Sequence, residues 1–395
     1  MQGHRDCKGP AAEANPIIHH PLAVWLFVLT VAGIVYGSLY PFTFEAGAVP
    51  LEQLRRMFAG GWSSDWHLGD LLANFLLFVP YGLFGTLALA RLPAIARGVL
   101  LLAGAVILAF GLQLAQLWLP GRVPDFGDGV VNLVGTVLGM GLAALPWERL
   151  PVRARLPAGS MLLPALLLGC WLAYKWFPFV PTLDWYTIKQ GLKPLLLEPR
   201  LEWLGVLRNA VAWLVFALLW RQCRLRESWL PVLIPGAIAL QVGIAWNDIA
   251  LDGVVGALLA LAAWPLLRRL ASPAGPVLFL LIALILLSGL APFELQRSSF
   301  HWMPFHGFLS GSMVVNLLSL LLKLYLYGSL VWLVFSLSRS LNAALIVPVL
   351  VTLLVEIAQT RVGGHVPEIT DPLLCVLIWS ALRLSAGTTA RPRNR

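Results

Sequence analysis

Uninterrupted apolar runs of about 18 to 22 residues recur along the whole chain, the length that a helix rising 1.5 Å per residue needs to cross roughly 30 Å of hydrocarbon. Twelve are expected, near residues 22–44, 71–90, 98–119, 128–147, 161–181, 203–220, 229–246, 249–267, 276–293, 311–335, 341–360 and 370–386. None alternates polar with apolar, and an open sheet edge in lipid leaves backbone groups without partners, so strands are excluded. The expected fold class is all-α: a polytopic membrane helical bundle of about 12 transmembrane helices. Composition agrees, with 59% hydrophobic residues, 12% charged residues and a mean hydropathy of +0.80 over 395 positions, outside the range of water-soluble domains. The first apolar run is too long for a signal-peptide core and lacks a cleavage site, so a retained anchor is expected.

With twelve spans, the tails and the even-numbered connections share one side. That side carries seventeen lysines and arginines against four carboxylates, and the other eight against fourteen. Basic residues prefer the cytoplasmic side, so both termini are expected in the cytoplasm, with the chain in the bacterial cytoplasmic membrane. The net charge of +9 then reports orientation and affinity for membrane lipids. No aromatic-interleaved basic patch suggests nucleic acid. Cys7, Cys170, Cys223 and Cys375 are scattered, which gives no disulfide framework or thiolate metal site. No cofactor or metal is expected, and the spacing of His301 and His306 is a weak metal signal.

At an offset of 243 residues, QLAQLWLPGRVPDFGD (113–128) lies over EIAQTRVGGHVPEITD (356–371). Gln116 meets Gln359, Val123-Pro124 meets Val366-Pro367, Asp125 meets Glu368 and Asp128 meets Asp371; Asn74 meets Asn316 at 242. A weaker middle copy holds Asn209 and Asp252-Gly-Val-Val. Each copy opens with a helix ending in Pro-Phe, at Pro41, Pro178 and Pro292. These matches predict three parallel four-helix repeats. The organisation is then a cytoplasmic tail at 1–21, a first repeat at 22–150, a degenerate second repeat at 151–271, a third at 272–386 and a basic cytoplasmic tail at 387–395.

Within each unit the polar residues gather at the outer end. Asn74 and Asp70 share a helix face, as do Asp128 and Asn132, and with Gln113, Gln116, Arg122 and Asp125 they can form one polar pocket. Arg122 can grip phosphate or carboxylate in a bidentate fork, or simply pair with Asp125 or Asp128. Asp128, Asp252 and Asp371 can equally serve as helix caps. In the third unit Glu356 lies on one stripe with Thr352 and Gln359, and Lys323 on another with Asn316, Ser319 and Tyr327. Charges at such depth cost about 2.5 to 3.5 kcal/mol on insertion scales and so need partners. Lys323 is expected to meet Glu356, and His365, Glu368 and Asp371 complete that set. Gly135-x-x-x-Gly139 is a helix-packing signal.

The strings DLLANFLLFVPYGLFG (70–85) and QLAQLWLPGRVPDFGDGVVNLVGTVLG (113–139) resemble the VanZ-like family. The resemblance picks out Asn74, Pro80, Gly82, Gln116, Arg122, Asp125, Asp128, Asn132 and Gly135, with Gln113 where the family usually has Glu. In the third copy Glu356 restores the Glu, while His365 replaces the Arg and Cys375 the Asn. It implies an envelope protein connected with glycopeptide tolerance or exopolysaccharide assembly, and fixes no reaction. Three functions stay open: a binder or handler of a lipid-linked glycan or similar amphipathic envelope molecule, an intramembrane enzyme using outer-face carboxylates as acid and base, and a scaffold for envelope or exopolysaccharide assembly proteins.

Overall fold

Every one of the twelve apolar runs contains a helix in the computed structural model, which describes residues 20–45, 47, 55, 68–120, 125–145, 162–309 and 313–386. The tails, 46, 48–54, 56–67, 146–161, 310–312 and the turn containing Arg122 lie outside the described residues. Among the described residues there is no strand, only three isolated bridges. Six helices are long and apolar enough to cross a membrane, and four further apolar helices have 10–17 residues.

The chain divides into two compact units, Met1–Pro146 and Trp147–Arg395. The first contains α1 (His20–Leu39), α2 (Leu68–Ala88), α3 (Ala94–Gln116) and α4 (Phe126–Ala144). Its defining contact is α2 against α4. A Cβ added at Gly139 would stand 2.1 Å from the Val79 carbonyl oxygen, and one at Gly135 2.3 Å from that of Phe75. The small-residue stripe thus lets two backbones touch, as its spacing predicts.

The second unit contains α5 (Leu162–Trp176), α6 (Trp185–Leu196), α7 (Trp203–Gln222), α8 (Leu230–Gln241), α9 (Leu251–Leu267), α10 (Ala274–Leu290), α11 (Met313–Ser338), α12 (Leu341–Gln359) and α13 (Thr370–Ala386). Residues Val211–Leu219 of α7 are all buried, with α5, α9 and α10 packed around this helix. Two exchanged contacts build this core: α5 packs on α11, and α10 packs on α7. Trp171 sits at the joint, stacked on Tyr325 at 5.1 Å and edge-on to Trp213 at 5.4 Å, and the Tyr325 hydroxyl donates to the Ala212 carbonyl at 2.7 Å.

Among the described helices, the short His306–Leu309 and the longer α6 were not expected from the apolar runs. Helix α6 is amphipathic, with Ile188, Leu192 and Leu195 half-buried around the buried Gly191 and with Trp185, Tyr186, Lys189 and Lys193 exposed. Asp184 caps it by accepting from the Thr187 amide at 2.9 Å and hydroxyl at 2.7 Å, and these bonds hold its carboxyl below the usual carboxylate range. Its sequence signal was the capping Asp followed by a 3–4 apolar period, too polar overall to register as a span.

The glycine contact in the first unit yields a direct test. Gly139→Leu should force α2 and α4 apart and destabilise the protein by about 1–3 kcal/mol, seen as a lower thermal unfolding midpoint in detergent, whereas Gly141→Leu, with open space around its Cβ position, should not.

Candidate functional site

Polar side chains of α11, α12 and α13 meet at one end of the second unit. On α11, Asn316, Ser319, Lys323 and Tyr327 recur at helical spacing and face one way. Lys323 Nζ lies 2.5 Å from Asp371 Oδ1, and the Tyr327 hydroxyl donates to the other oxygen, Oδ2. Asp371, in the first turn of α13, therefore spends both oxygens on α11. An ammonium in an apolar helix is stable only with such a counter-charge, and removing one partner of a buried pair costs about 3–5 kcal/mol.

Glu356 on α12 is 2% exposed, and its Oε2 accepts from the Glu368 amide at 2.7 Å, in the chain entering α13. Glu368 is also buried, and its own Oε2 accepts from the Gly307 amide at 3.0 Å. Gln359 donates to the Gly289 carbonyl at 2.8 Å, and His365 Nε2 is 2.5 Å from the Ala291 carbonyl oxygen. These ties surround a cavity of about 380 Å³ lined by Asn316, Lys323, Glu356, His365, Glu368 and Asp371, among others. All seven candidates expected in the last 120 residues, Gln359 among them, thus line it.

Two expectations are corrected here. Lys323 takes Asp371, not Glu356, as its hydrogen-bonded partner: α11 packs on both α12 and α13, and the Glu356 carboxylate accepts from a backbone amide. Asp371 lies within the first turn of α13 and not ahead of it, so it is not the N-cap residue, and its two oxygens bond Lys323 and Tyr327. His301 and His306 stack with ring centres 4.5 Å apart, and no group of three metal-binding side chains occurs among the described residues.

In the first unit the same scheme recurs with neutral groups. Gln113 Oε1 accepts from the Asp125 amide at 3.1 Å, and Gln116 donates to the Ser38 carbonyl at 2.8 Å. Asp125, not Asp128, caps α4, accepting from the Gly127 amide at 2.7 Å; Asp128 stands in the first turn. Asn132 is buried with no hydrogen-bond partner for its Oδ1, and Asn74 is half-buried on α2. Arg122 lies outside the described residues.

The middle segment contributes residues that sequence reasoning missed. Lys175, the lone charge near the end of α5, donates to Asn209 Oδ1 at 2.8 Å beside Asp252. Its signal was the same one that exposed Lys323, a cation inside an apolar run. Gln241 ends α8 as Gln116 ends α3 and Gln359 ends α12, but the following loop is one residue shorter, which hid it from an ungapped comparison.

The Glu356–Glu368 bond separates two roles for the carboxylate. Glu356→Gln retains an acceptor for the Glu368 amide and should stay folded; Glu356→Ala orphans that amide and should lose about 1–3 kcal/mol. Unfolding midpoints of the two variants, measured side by side, check this.

A family model described as VanZ/LLP1 matches residues 22–146, ending where the first compact unit ends. No curated protein and no solved structure matches the chain. The first unit is thus a VanZ/LLP1-type domain within an all-helical membrane protein.

Proposed function

We propose that this protein is a VanZ-type envelope protein of the bacterial cytoplasmic membrane, with both tails cytoplasmic, that binds the polar head of an amphipathic envelope molecule, such as a lipid-linked glycan, near the outer face. The observation that carries this reading is the cavity between α11, α12 and α13, where an ion pair, two further buried carboxyl groups and two amide side chains share roughly 380 Å³. A polar space of this kind costs free energy in an apolar helix bundle, which a ligand head can recover.

The proposal includes three parallel four-helix copies and twelve membrane crossings. Three ties at corresponding places support it. Phe42, Phe179 and Phe293 follow the opening helices at φ of 64°, 63° and 67°. Three residues further on, the amides of Glu45, Thr182 and Gln296 donate to the carbonyls of Trp118, Gly243 and Arg361 at 3.0, 2.9 and 3.1 Å. The second and fourth helices of each proposed copy also pack together.

A diazirine-bearing alkyl glycoside, standing for a glycan on a lipid tail, should label α11–α13 saturably in nanodiscs. Asp371→Ala and Glu356→Ala should weaken this by roughly tenfold or more, the effect of losing hydrogen bonds to charged groups, while the protein still reaches the membrane. Arg122→Ala and Asp128→Ala extend the test to the first unit. Labelling that does not saturate, or that all four variants leave unchanged, rejects the assignment.

The closeness of Glu356 and Asp371 favours a second reading, acid–base catalysis on the bound molecule. Under it, Glu356→Gln retains labelling but abolishes turnover of a lipid-linked glycan. Recovery of exopolysaccharide-assembly proteins with a variant that has lost labelling favours the scaffold role instead.

A further inference from the structure

The chain entering the fourth helix of each proposed copy carries an amide that needs an acceptor in apolar surroundings. In the first copy Gln113 supplies it to Asp125; in the last, Glu356 supplies it to Glu368. The corresponding place in the middle copy is Ile249, and the residue on α8 that would answer it is Ile238, which has no acceptor. The Ile249 amide is instead satisfied by a backbone carbonyl from outside the four-helix set: Gly191 of α6, at 2.9 Å.

Position 191 suits that task because it has no side chain. A Cβ there would stand 2.7 Å from the Asn247 carbonyl oxygen, so any other residue would lift α6 off the loop. The flanking polar groups of this copy are turned inward as well. Lys175 is bonded to Asn209, and Asp252 lies so close to α7 that a Cβ at Gly205 would meet its Oδ2 at 1.9 Å.

The last copy differs at the same level. Its covering segment is pinned at the rim, where the His301 amide donates to the Pro367 carbonyl at 2.9 Å, and the acceptor of the Glu368 amide is a carboxylate that also faces the cavity. One copy has its acceptor supplied by a helix laid over it; the other keeps a charged side chain in an open space.

We infer that α6 is a resident stopper of the middle copy, filling with Gly191 the place that a ligand-facing side chain occupies in the last copy, so that ligand handling in the Trp147–Arg395 unit falls to the last copy alone. This rests on the copy-by-copy reading and on the ligand role proposed above.

The test uses full-length protein in nanodiscs with the four native cysteines replaced by alanine. With α6 intact, Ile249→Cys should resist a polar maleimide, while Ala250→Cys, at an exposed position, reacts. Adding Gly191→Leu should speed modification of residue 249 roughly fivefold or more, the factor expected for losing one backbone hydrogen bond. Adding Ile238→Gln to that variant supplies a side-chain acceptor from α8 and should restore protection. Equal reactivity at 249 and 250 with α6 intact, or no response to Gly191→Leu, overturns the inference. The diazirine glycoside gives the second arm: labelling confined to α11–α13 supports one working copy, and labelling of α7–α9 as well overturns it. Labelling of neither removes the ligand reading, and the maleimide arm still decides whether α6 is a stopper.

Discussion

A backbone amide at the mouth of an apolar helix bundle must find an acceptor from the protein itself, and the architecture around α12–α13 follows from that need. The turn leading into the last helix cannot satisfy its own amide. Glu356 does so, and in being drawn there it leaves Lys323 to Asp371. Two polar bonds formed for structural reasons thereby set the Glu356 and Asp371 carboxyl groups close together in the lining of one cavity. The same need, met by Gln113 in the first unit, places no charge in the span.

The second requirement is that helices approach closely enough for these short side chains to meet. In the first unit glycines allow it, with α2 and α4 in backbone contact at Gly135 and Gly139. In the second unit the aromatic joint of Trp171, Trp213 and Tyr325 does comparable work between α5, α7 and α11. Aromatic rings bury large areas without needing a charge partner, which suits a core surrounded by apolar helices. Rigid packing on one side and charged pairing on the other leave a polar space whose shape depends on both.

The all-helical character and the positions of the twelve apolar runs were legible because the 20-residue apolar period is long and unambiguous. The site residues were largely legible too, since Lys323 and Glu356 are single charges in apolar helices and repeat-matched Asp128 and Asp371 drew attention to the same turn. Helix α6 was not, because twelve amphipathic residues with two lysines look like a loop between spans. Gln241 escaped because one missing residue shifts the middle copy out of register, and Lys175 because its partner Asn209 is thirty-four positions away.

Sequence alone determined the helical class, the membrane setting and the identity of the charged groups, since each follows from local composition and spacing. Only the tertiary structure decided the partners. Lys323 had two acidic candidates at similar depth on two helices that both pack against α11, and Asp371 is the one set within hydrogen-bond reach. Which carboxylate meets which donor depends on how helices far apart in the chain are turned toward each other, and no local pattern encodes that rotation.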